Sequence, residues 1–124
     1  MSCADFVGMM FLARDVAHSA HLNTRSYAKH MALNTFYGEI IDLADGLAEA
    51  YQGRHGLMDE IPYFTPALGK KTIAATATEL EKHMDKVQEL RYEACPKTET
   101  AIQNLIDEAV SAYQTALYKL RFLQ

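Results

Sequence analysis

The sequence lacks the cysteine pairs that stabilise small secreted domains. Its 124 residues hold only two cysteines, Cys3 and Cys95, and neither belongs to a CxxC motif. Isolated thiols of this kind are typical of a reducing compartment and argue against a disulfide framework. We therefore expect a cytoplasmic protein whose cysteines are free.

Targeting and membrane-spanning segments are also missing. The apolar run at residues 6–13 has no basic segment before it and is followed by the charged pair Arg14-Asp15. No run approaches the roughly 20 apolar residues that cross a bilayer. Hydrophobic residues make up 49% of the chain and charged residues 23%, as in ordinary globular proteins. We expect one soluble domain over residues 1–124, with no membrane partner.

Clusters of Lys and Arg are absent. The formal net charge is −4, and residues 1–60 carry eight acidic side chains against four basic ones, while residues 61–124 carry eight of each. Without a basic patch or tail, binding to nucleic acid through its phosphates is not expected. The acids concentrated in residues 39–60 leave an acidic protein-contact surface as one alternative.

Common catalytic motifs are missing as well. The chain has no HExxH and no GxGxxG, and Gly69-Lys70-Lys71-Thr72 lacks the upstream glycine of a phosphate-binding loop. No arrangement of Ser, His and Asp indicates a nucleophile. The motifs therefore predict neither a catalytic residue outside a metal site nor an organic cofactor.

What the sequence does contain is apolar periodicity typical of four helices. Ser2 or Asp5 can cap the first helix, Gly53 can end the second, Thr65-Pro66 can begin the third, and Cys95-Pro96 can separate the third from the fourth. The expected helices cover residues 2–22, 28–52, 65–93 and 98–122, with a possible extra helical turn at residues 57–60. This pattern predicts an all-α fold, an antiparallel four-helix bundle with a long connection between its second and third helices.

The second expected helix has a polar flank beside its buried stripe. At about 100° per residue, one side collects the apolar residues Leu33, Phe36, Ile40, Leu43, Leu47 and Tyr51. The neighbouring flank collects His30, Asn34, Gly38, Asp45 and Glu49. These imidazole, amide and carboxylate groups could hold a metal, but such a flank is also typical of solvated surface. Spacing alone leaves both readings open.

Two further groups have simpler expected roles. Methionines such as Met9 and Met10 fill irregular gaps in cores. The third helix carries a run of mixed charge that we expect to be solvated. That run consists of Glu79, Glu81, Lys82, Asp85, Lys86 and Glu89, with His83 among them on the surface.

The histidine and carboxylate spacing resembles the mini-ferritins of the DNA-protection-during-starvation (Dps-like) family. His21-Leu22-Asn23 is similar to a family element near the end of the first helix, and His30 to the second histidine. The segment Asp45-Gly46-Leu47-Ala48-Glu49 is similar to the family's D-x-x-A-E element. The resemblance implies a ferritin-like bundle that binds iron between two subunits, with histidines from one and carboxylates from the other. It also implies oxidation of Fe(II) by peroxide or oxygen and storage in a hollow shell.

Three departures from the family pattern shape these expectations. Asn34 stands where the family has an aspartate ligand, and an amide is a poorer ligand for iron. His21 and His30 are nine residues apart rather than twelve, which makes His18 a weaker candidate in place of His21. The chain lacks the family's basic tail, so DNA binding is not carried over. The compact form resembles small ferritin-like proteins of bacteriophage genomes.

Several alternatives remain open from the sequence. Zinc or another divalent metal could replace iron, and the homo-oligomer could be a dimer or a cage. A degenerate ferritin-like fold could instead serve as a protein-interaction module without a catalytic metal, or as a structural dimer without a ligand.

Overall fold

The computed structural model describes residues 1–69 and 72–124. This part of the chain forms four helices and no strand: α1 (Cys3–Asn23), α2 (Tyr27–His55), α3 (Ile73–Ala94) and α4 (Thr100–Phe122). The all-helical prediction is therefore confirmed. None of these helices is both long and apolar enough to cross a membrane.

The first two helices begin at side-chain caps. The Ser2 hydroxyl accepts a hydrogen bond from the Asp5 N–H, and the Asp5 carboxylate accepts one from the Ser2 N–H. Ser26 caps α2 in the same sense. The expected stop of α2 at Gly53 is wrong, because the helix continues to Gly56, whose φ of 86° favours glycine. Residues 57–60 form no helical turn.

The third helix begins later than the sequence suggests. Its cap is Thr72, whose side chain accepts from the Ala75 N–H, so the expected start at Thr65-Pro66 is wrong. Those residues lie in the connection, where the Ala67 N–H donates to the Glu79 side chain. This hydrogen bond therefore satisfies the Ala67 N–H and holds the connection against α3. Lys70 and Lys71, which fall within the helix expected over residues 65–93, lie outside the described residues.

The turn before α4 is also longer than predicted. Cys95 follows the last residue of α3, as expected. Pro96 does not begin α4, because the Glu99 N–H bonds to the Pro96 carbonyl in a turn and the helix starts at Thr100.

Each helix packs mainly on two others: α1 and α4 each contact α2 and α3. The predicted stripe of α2 is confirmed in its centre, since Leu33, Phe36, Ile40 and Leu47 are buried. The other two residues of the stripe, Leu43 and Tyr51, are only half-buried. Met9 and Met10 belong to the core, as predicted. Their burial is consistent with methionine filling gaps between helices.

The long connection packs on α1 at a glycine. A Cβ atom built at Gly8 would lie 2.5 Å from the Pro62 carbonyl oxygen and 3.2 Å from the Phe64 ring. A side chain at this position would collide with backbone, which cannot move aside as a flexible side chain can. Glycine therefore permits the close approach of residues 62–64 to the first helix. A groove of about 510 Å³ lies beside this contact.

Candidate functional site

The predicted histidines His21 and His30 lie against each other where α1 ends and α2 begins. Their ring centroids are 3.6 Å apart in a stacked arrangement. The Nδ1 atom of each ring lies 2.8 Å from the carbonyl oxygen of the other residue. Because a carbonyl oxygen can only accept, both Nδ1 atoms donate. In the neutral rings the unprotonated nitrogen is then Nε2, the atom that can bind a metal.

The weaker candidates His18 and Asn34 belong to the same cluster. The His18 ring stacks on the Tyr37 ring with centroids 4.4 Å apart. The Tyr37 hydroxyl donates to the Asn34 amide oxygen over 3.1 Å. One lone pair of that oxygen is thus engaged within the chain. The cluster is a packed set of aromatic rings with one amide at its edge.

The predicted carboxylates do not join this cluster. Asp45 and Glu49 are exposed on α2, and Asp45 lies 15 residues beyond His30. At 1.5 Å per residue, this spacing is about 22 Å along the helix. A single chain therefore cannot place His30 and Asp45 on one ion, although two copies could. The combined site and its iron stay a prediction.

A buried acid–histidine pair lies on α3 where the sequence predicts a solvated face. Glu79 and His83 are only 6% and 5% exposed, so their predicted surface positions are wrong. The His83 Nε2 atom lies 3.1 Å from a Glu79 carboxylate oxygen. The connection covers this part of α3, with the Ala67 N–H bonded to the other Glu79 oxygen. Both carboxylate oxygens thus have partners.

The burial of this pair has electrostatic consequences. Desolvation lowers the pKa of His83, and the nearby Glu79 charge opposes that shift. Burial raises the pKa of Tyr113, whose ring meets the His83 ring edge-on at 6.3 Å. Within residues 1–69 and 72–124, the His83 Nδ1, Thr76 Oγ1 and Tyr113 hydroxyl atoms find no hydrogen-bond partner. These polar groups lie between α3 and α4 and give that region a buried polar patch.

A second cluster, which we call the triad, lies at the opposite end of α2. It consists of His55 at the end of α2, Cys95 after α3 and Glu99 before α4. One ligand atom from each residue lies within 4.8 Å of the other two. Among the described residues, these form the group of His, Cys and acidic side chains close enough to share an ion.

Hydrogen bonds already link the members of the triad. The Glu99 carboxylate lies 2.8 Å from His55 Nε2 and accepts from the Cys95 thiol at 3.0 Å. The bond from Cys95, followed by that from His55, lowers the pKa of Glu99. Desolvation raises the pKa of Cys95 to about 12, and Glu99 adds to that shift. The thiol is therefore protonated at neutral pH in this arrangement.

The triad does not follow from the sequence pattern, in which Cys95 marks only a helix boundary and neither His55 nor Glu99 belongs to a motif. A signal was nevertheless available, since Cys95 and Glu99 are four residues apart across a tight turn. A histidine ending a neighbouring helix then completes a plausible ligand set.

A third feature is a set of exposed apolar side chains on the three helix termini at one end of the bundle, where α1 ends, α2 begins and α4 ends. Six large apolar side chains there are exposed, and we call them the apolar surface. They are Leu22, Tyr27, Met31, Tyr118, Phe122 and Leu123. The Lys29 ammonium group donates to the carbonyls of Leu120 and Leu123, which joins the start of α2 to the end of α4.

These observations define a small protein whose described residues, 1–69 and 72–124, form four helices and no strand. The chain belongs to a family of unknown function, DUF5856, whose match covers residues 21–120. It is also 29% identical over 118 residues to an uncharacterized 14.6 kDa protein from the mobD–ri intergenic region of Enterobacteria phage T4. That alignment covers 94% of this chain and 85% of the phage protein. No solved structure matches the chain.

The family membership corrects the interpretation of the histidine spacing. The proposed resemblance to Dps-like mini-ferritins is wrong, because the family that matches is DUF5856. Short histidine and carboxylate spacings recur on amphipathic helices without a metal, which explains the misleading likeness. The expected link to bacteriophages is supported by the relative from phage T4.

Proposed function

We propose that this protein is a protein-binding module and that its contact site is the apolar surface. The observation that carries the proposal is the grouping of exposed side chains. Of the nine large hydrophobic residues exposed in the described part of the chain, six lie at this one end. Single exposed apolar residues are common, whereas a concentration of them is typical of a contact surface. Tyrosine and phenylalanine are also frequent at the centres of protein interfaces.

The charge around the apolar surface indicates the chemistry of the partner. Residues 16–38 and 109–124 contain four Lys or Arg residues and no Asp or Glu, although the whole chain has a net charge of −4. Lys29 is bonded to backbone carbonyls and Arg121 is paired with Glu81. Within residues 16–38 and 109–124, this leaves Arg25 and Lys119 as the other cations. A protein segment that carries acidic and apolar side chains would complement this surface.

A protein partner fits this surface better than a nucleic acid. The two uncommitted cations of residues 16–38 and 109–124 would neutralise few phosphates, even though Tyr27, Tyr118 and Phe122 offer rings on which bases could stack. The acidic residues 39–60 of a second copy have the required charge, which would fit the expected homo-oligomer. We also infer that neighbouring helices run antiparallel, supported by contacts between the start of α2 and the end of α4.

Site-specific photo-crosslinking tests the proposal. A photoreactive phenylalanine replaces Tyr118 in one variant and Tyr92 in a matched control, because both tyrosines are 55% exposed. Each variant is irradiated alone and in a bacterial lysate, and crosslinked peptides are identified by mass spectrometry. We expect position 118, and not position 92, to crosslink to an acidic, apolar segment. The yield should fall with added salt and after Phe122→Ser.

Three results would decide otherwise. Equal crosslinking from both positions, or none from position 118, contradicts the proposed contact surface. Crosslinks from the purified chain to its own residues 39–60 would identify the partner as a second copy. Salt-sensitive crosslinking to nucleic acid instead of protein would contradict the proposed partner.

Iron binding between two copies is the second hypothesis. It is favoured by the Nε2 atoms of His21 and His30, which remain available for a metal. Anaerobic Fe(II) titration should give about one or two irons per chain, and binding should vanish in Asp45→Ala/Glu49→Ala. Fe(II) oxidation by peroxide would be measured next. A folded, self-associated protein that binds no iron would contradict this hypothesis.

A further inference from the structure

We propose that His55, Cys95 and Glu99 bind one zinc ion, which fastens the end of α2 to the turn between α3 and α4. This site lies at the opposite end of α2 from the apolar surface, so the proposal is independent of the proposed function. The ligand atoms come from three separate places in the sequence, and packing brings them together. No two of the three residues lie in the same helix.

The distances within the triad suit a tetrahedral ion after small movements. Zinc bonds of about 2.0–2.3 Å place tetrahedral ligand atoms about 3.3–3.8 Å apart. His55 Nε2 and Cys95 Sγ now lie 2.8 Å and 3.0 Å from Glu99 oxygens, and all three ligand atoms lie within 4.8 Å of one another. Spreading these hydrogen-bonded contacts by about 0.5–0.8 Å would admit the metal between them.

The combination of ligands favours zinc over harder cations. Thiolate and imidazole select Zn²⁺ over Mg²⁺ or Ca²⁺, which prefer oxygen ligands. On binding, Cys95 Sγ loses its proton to solvent, and His55 coordinates through Nε2 with its proton on Nδ1. The thiolate and the Glu99 carboxylate together balance the two positive charges of the ion. A tetrahedral site with three protein ligands leaves a fourth position for water or another ligand.

The groups around the triad leave room for the ion. Arg54 now pairs with Glu99 over 3.4 Å, but its side chain is 70% exposed and can move into solvent. A groove of about 460 Å³ beside Arg54, Thr98 and Glu99 provides an open approach. The metal would therefore replace a weak exposed ion pair rather than a buried one.

A polar network holds the cysteine in place. The buried Gln103 side chain donates to the carbonyl oxygens of Cys95 and Arg91, and it accepts from Arg91 Nε. The Arg91 guanidinium also bonds to Asp107. These bonds fix the backbone from which Sγ projects. Supporting contacts of this kind are what position ligands in metal sites.

Zinc titration of the chelator-treated protein tests the site. Affinity is measured by competition with a chromophoric chelator, and stoichiometry by native mass spectrometry. We expect one zinc per chain, with affinity reduced at least about 100-fold in His55→Ala and in Cys95→Ser. The matched control makes the same change at another histidine: His18→Ala should keep the affinity of the unmodified protein.

Cobalt substitution gives a second readout that does not depend on these variants. Co²⁺ bound to the protein should show a thiolate charge-transfer band, which is lost in Cys95→Ser. If either His55→Ala or Cys95→Ser unfolds the chain, Glu99→Gln is used instead. This substitution keeps the side-chain shape and should weaken zinc binding. Failure of the folded protein to bind stoichiometric zinc would overturn the proposal. Binding that persists unchanged in Cys95→Ser, or a cobalt complex without the thiolate band, would do the same.

Discussion

The two ends of the bundle use histidine in different ways. At one end, His21 and His30 each direct Nδ1 at the other's carbonyl oxygen, and their rings stack. At the other end, His55 directs Nε2 at a carboxylate that also accepts from a thiol. The first arrangement joins two helices through backbone acceptors. The second brings together side chains that a cation can share.

The two ends of the bundle also differ in the charged and polar groups that they carry. The end with the histidine pair carries basic residues and exposed apolar side chains, while the triad includes a carboxylate and a thiol. On this basis we propose protein contact at the first end and metal binding at the second. The difference teaches that histidine spacing along one helix says little about ligands. The groups that neighbouring helices place around each ring decide its role.

The largest expected loss of stability comes from a substitution at the triad end, and its comparison with the other end shows how much each end depends on its polar contacts. Gln103→Leu removes the buried amide that bonds to Arg91 and to the Cys95 carbonyl. Because this leaves buried polar groups without partners, we expect a loss of about 3 kcal/mol in the free energy of unfolding. Urea denaturation followed by circular dichroism measures it.

The matched change at the other end is Lys29→Met. It removes the ammonium bond to the Leu120 carbonyl, but carbonyls at the end of a helix can bond to water instead. We expect a loss of about 1 kcal/mol in the free energy of unfolding. If Lys29→Met costs as much as Gln103→Leu, the two ends are equally dependent on their polar contacts.

The pH dependence of stability tests the role of the buried pair Glu79 and His83 on α3. Burial lowers the pKa of His83 below its ordinary value of 6.5, so the folded chain binds fewer protons than the unfolded chain. Its contribution to stability is therefore complete above pH 6.5 and declines as the pH falls below that value. His83→Gln should lose about 1–2 kcal/mol at neutral pH and show a smaller further loss in acid.

Urea midpoints measured from neutral to mildly acidic pH check this prediction. The unmodified protein should lose more stability over that range than His83→Gln does. An unchanged acid dependence in the variant would show that other groups control it.

The smallest expected losses of stability compare the pair His21 and His30 with the neighbouring His18. His30→Ala removes one of the two reciprocal bonds and the stacked ring, so we expect a loss of about 1 kcal/mol. His18→Ala removes only stacking on Tyr37 and should change stability by about 0.5 kcal/mol or less. Thermal unfolding of both variants measures the difference. Equal losses would mean that the carbonyl bonds add nothing beyond ring packing.

Much of the fold could be predicted because local rules agree with burial. The period of Leu33, Phe36 and Ile40 matches a helical face, and all three are buried. Ser2 or Asp5 is expected to cap the first helix, and Ser2 is the cap, with Asp5 completing its capping box. The start of α3 could not be predicted, since Thr65-Pro66 is a good helix start, but the N–H of the next residue, Ala67, bonds to the Glu79 side chain.

The buried positions of Glu79 and His83 depend on a distant segment. Their neighbours in the sequence are charged, so the pattern indicates a solvated face. Residue Ala67 covers that face and bonds to Glu79, which periodicity along α3 cannot reveal. The triad escaped prediction for a related reason, because His55 at the end of α2 is 40 or more residues away in the sequence from Cys95 and Glu99, which share the turn between α3 and α4.

The sequence by itself determined that residues 1–69 and 72–124 form four helices, since apolar periodicity and side-chain caps act within a few residues of each other. It also indicated part of the core, including Met9, Met10, Leu33 and Ile40. Only the tertiary structure decided which polar groups meet: His21 with His30, Glu79 with His83, and His55 with Cys95 and Glu99. The physical reason is range, because contacts between helices depend on how whole faces pack and not on neighbouring residues.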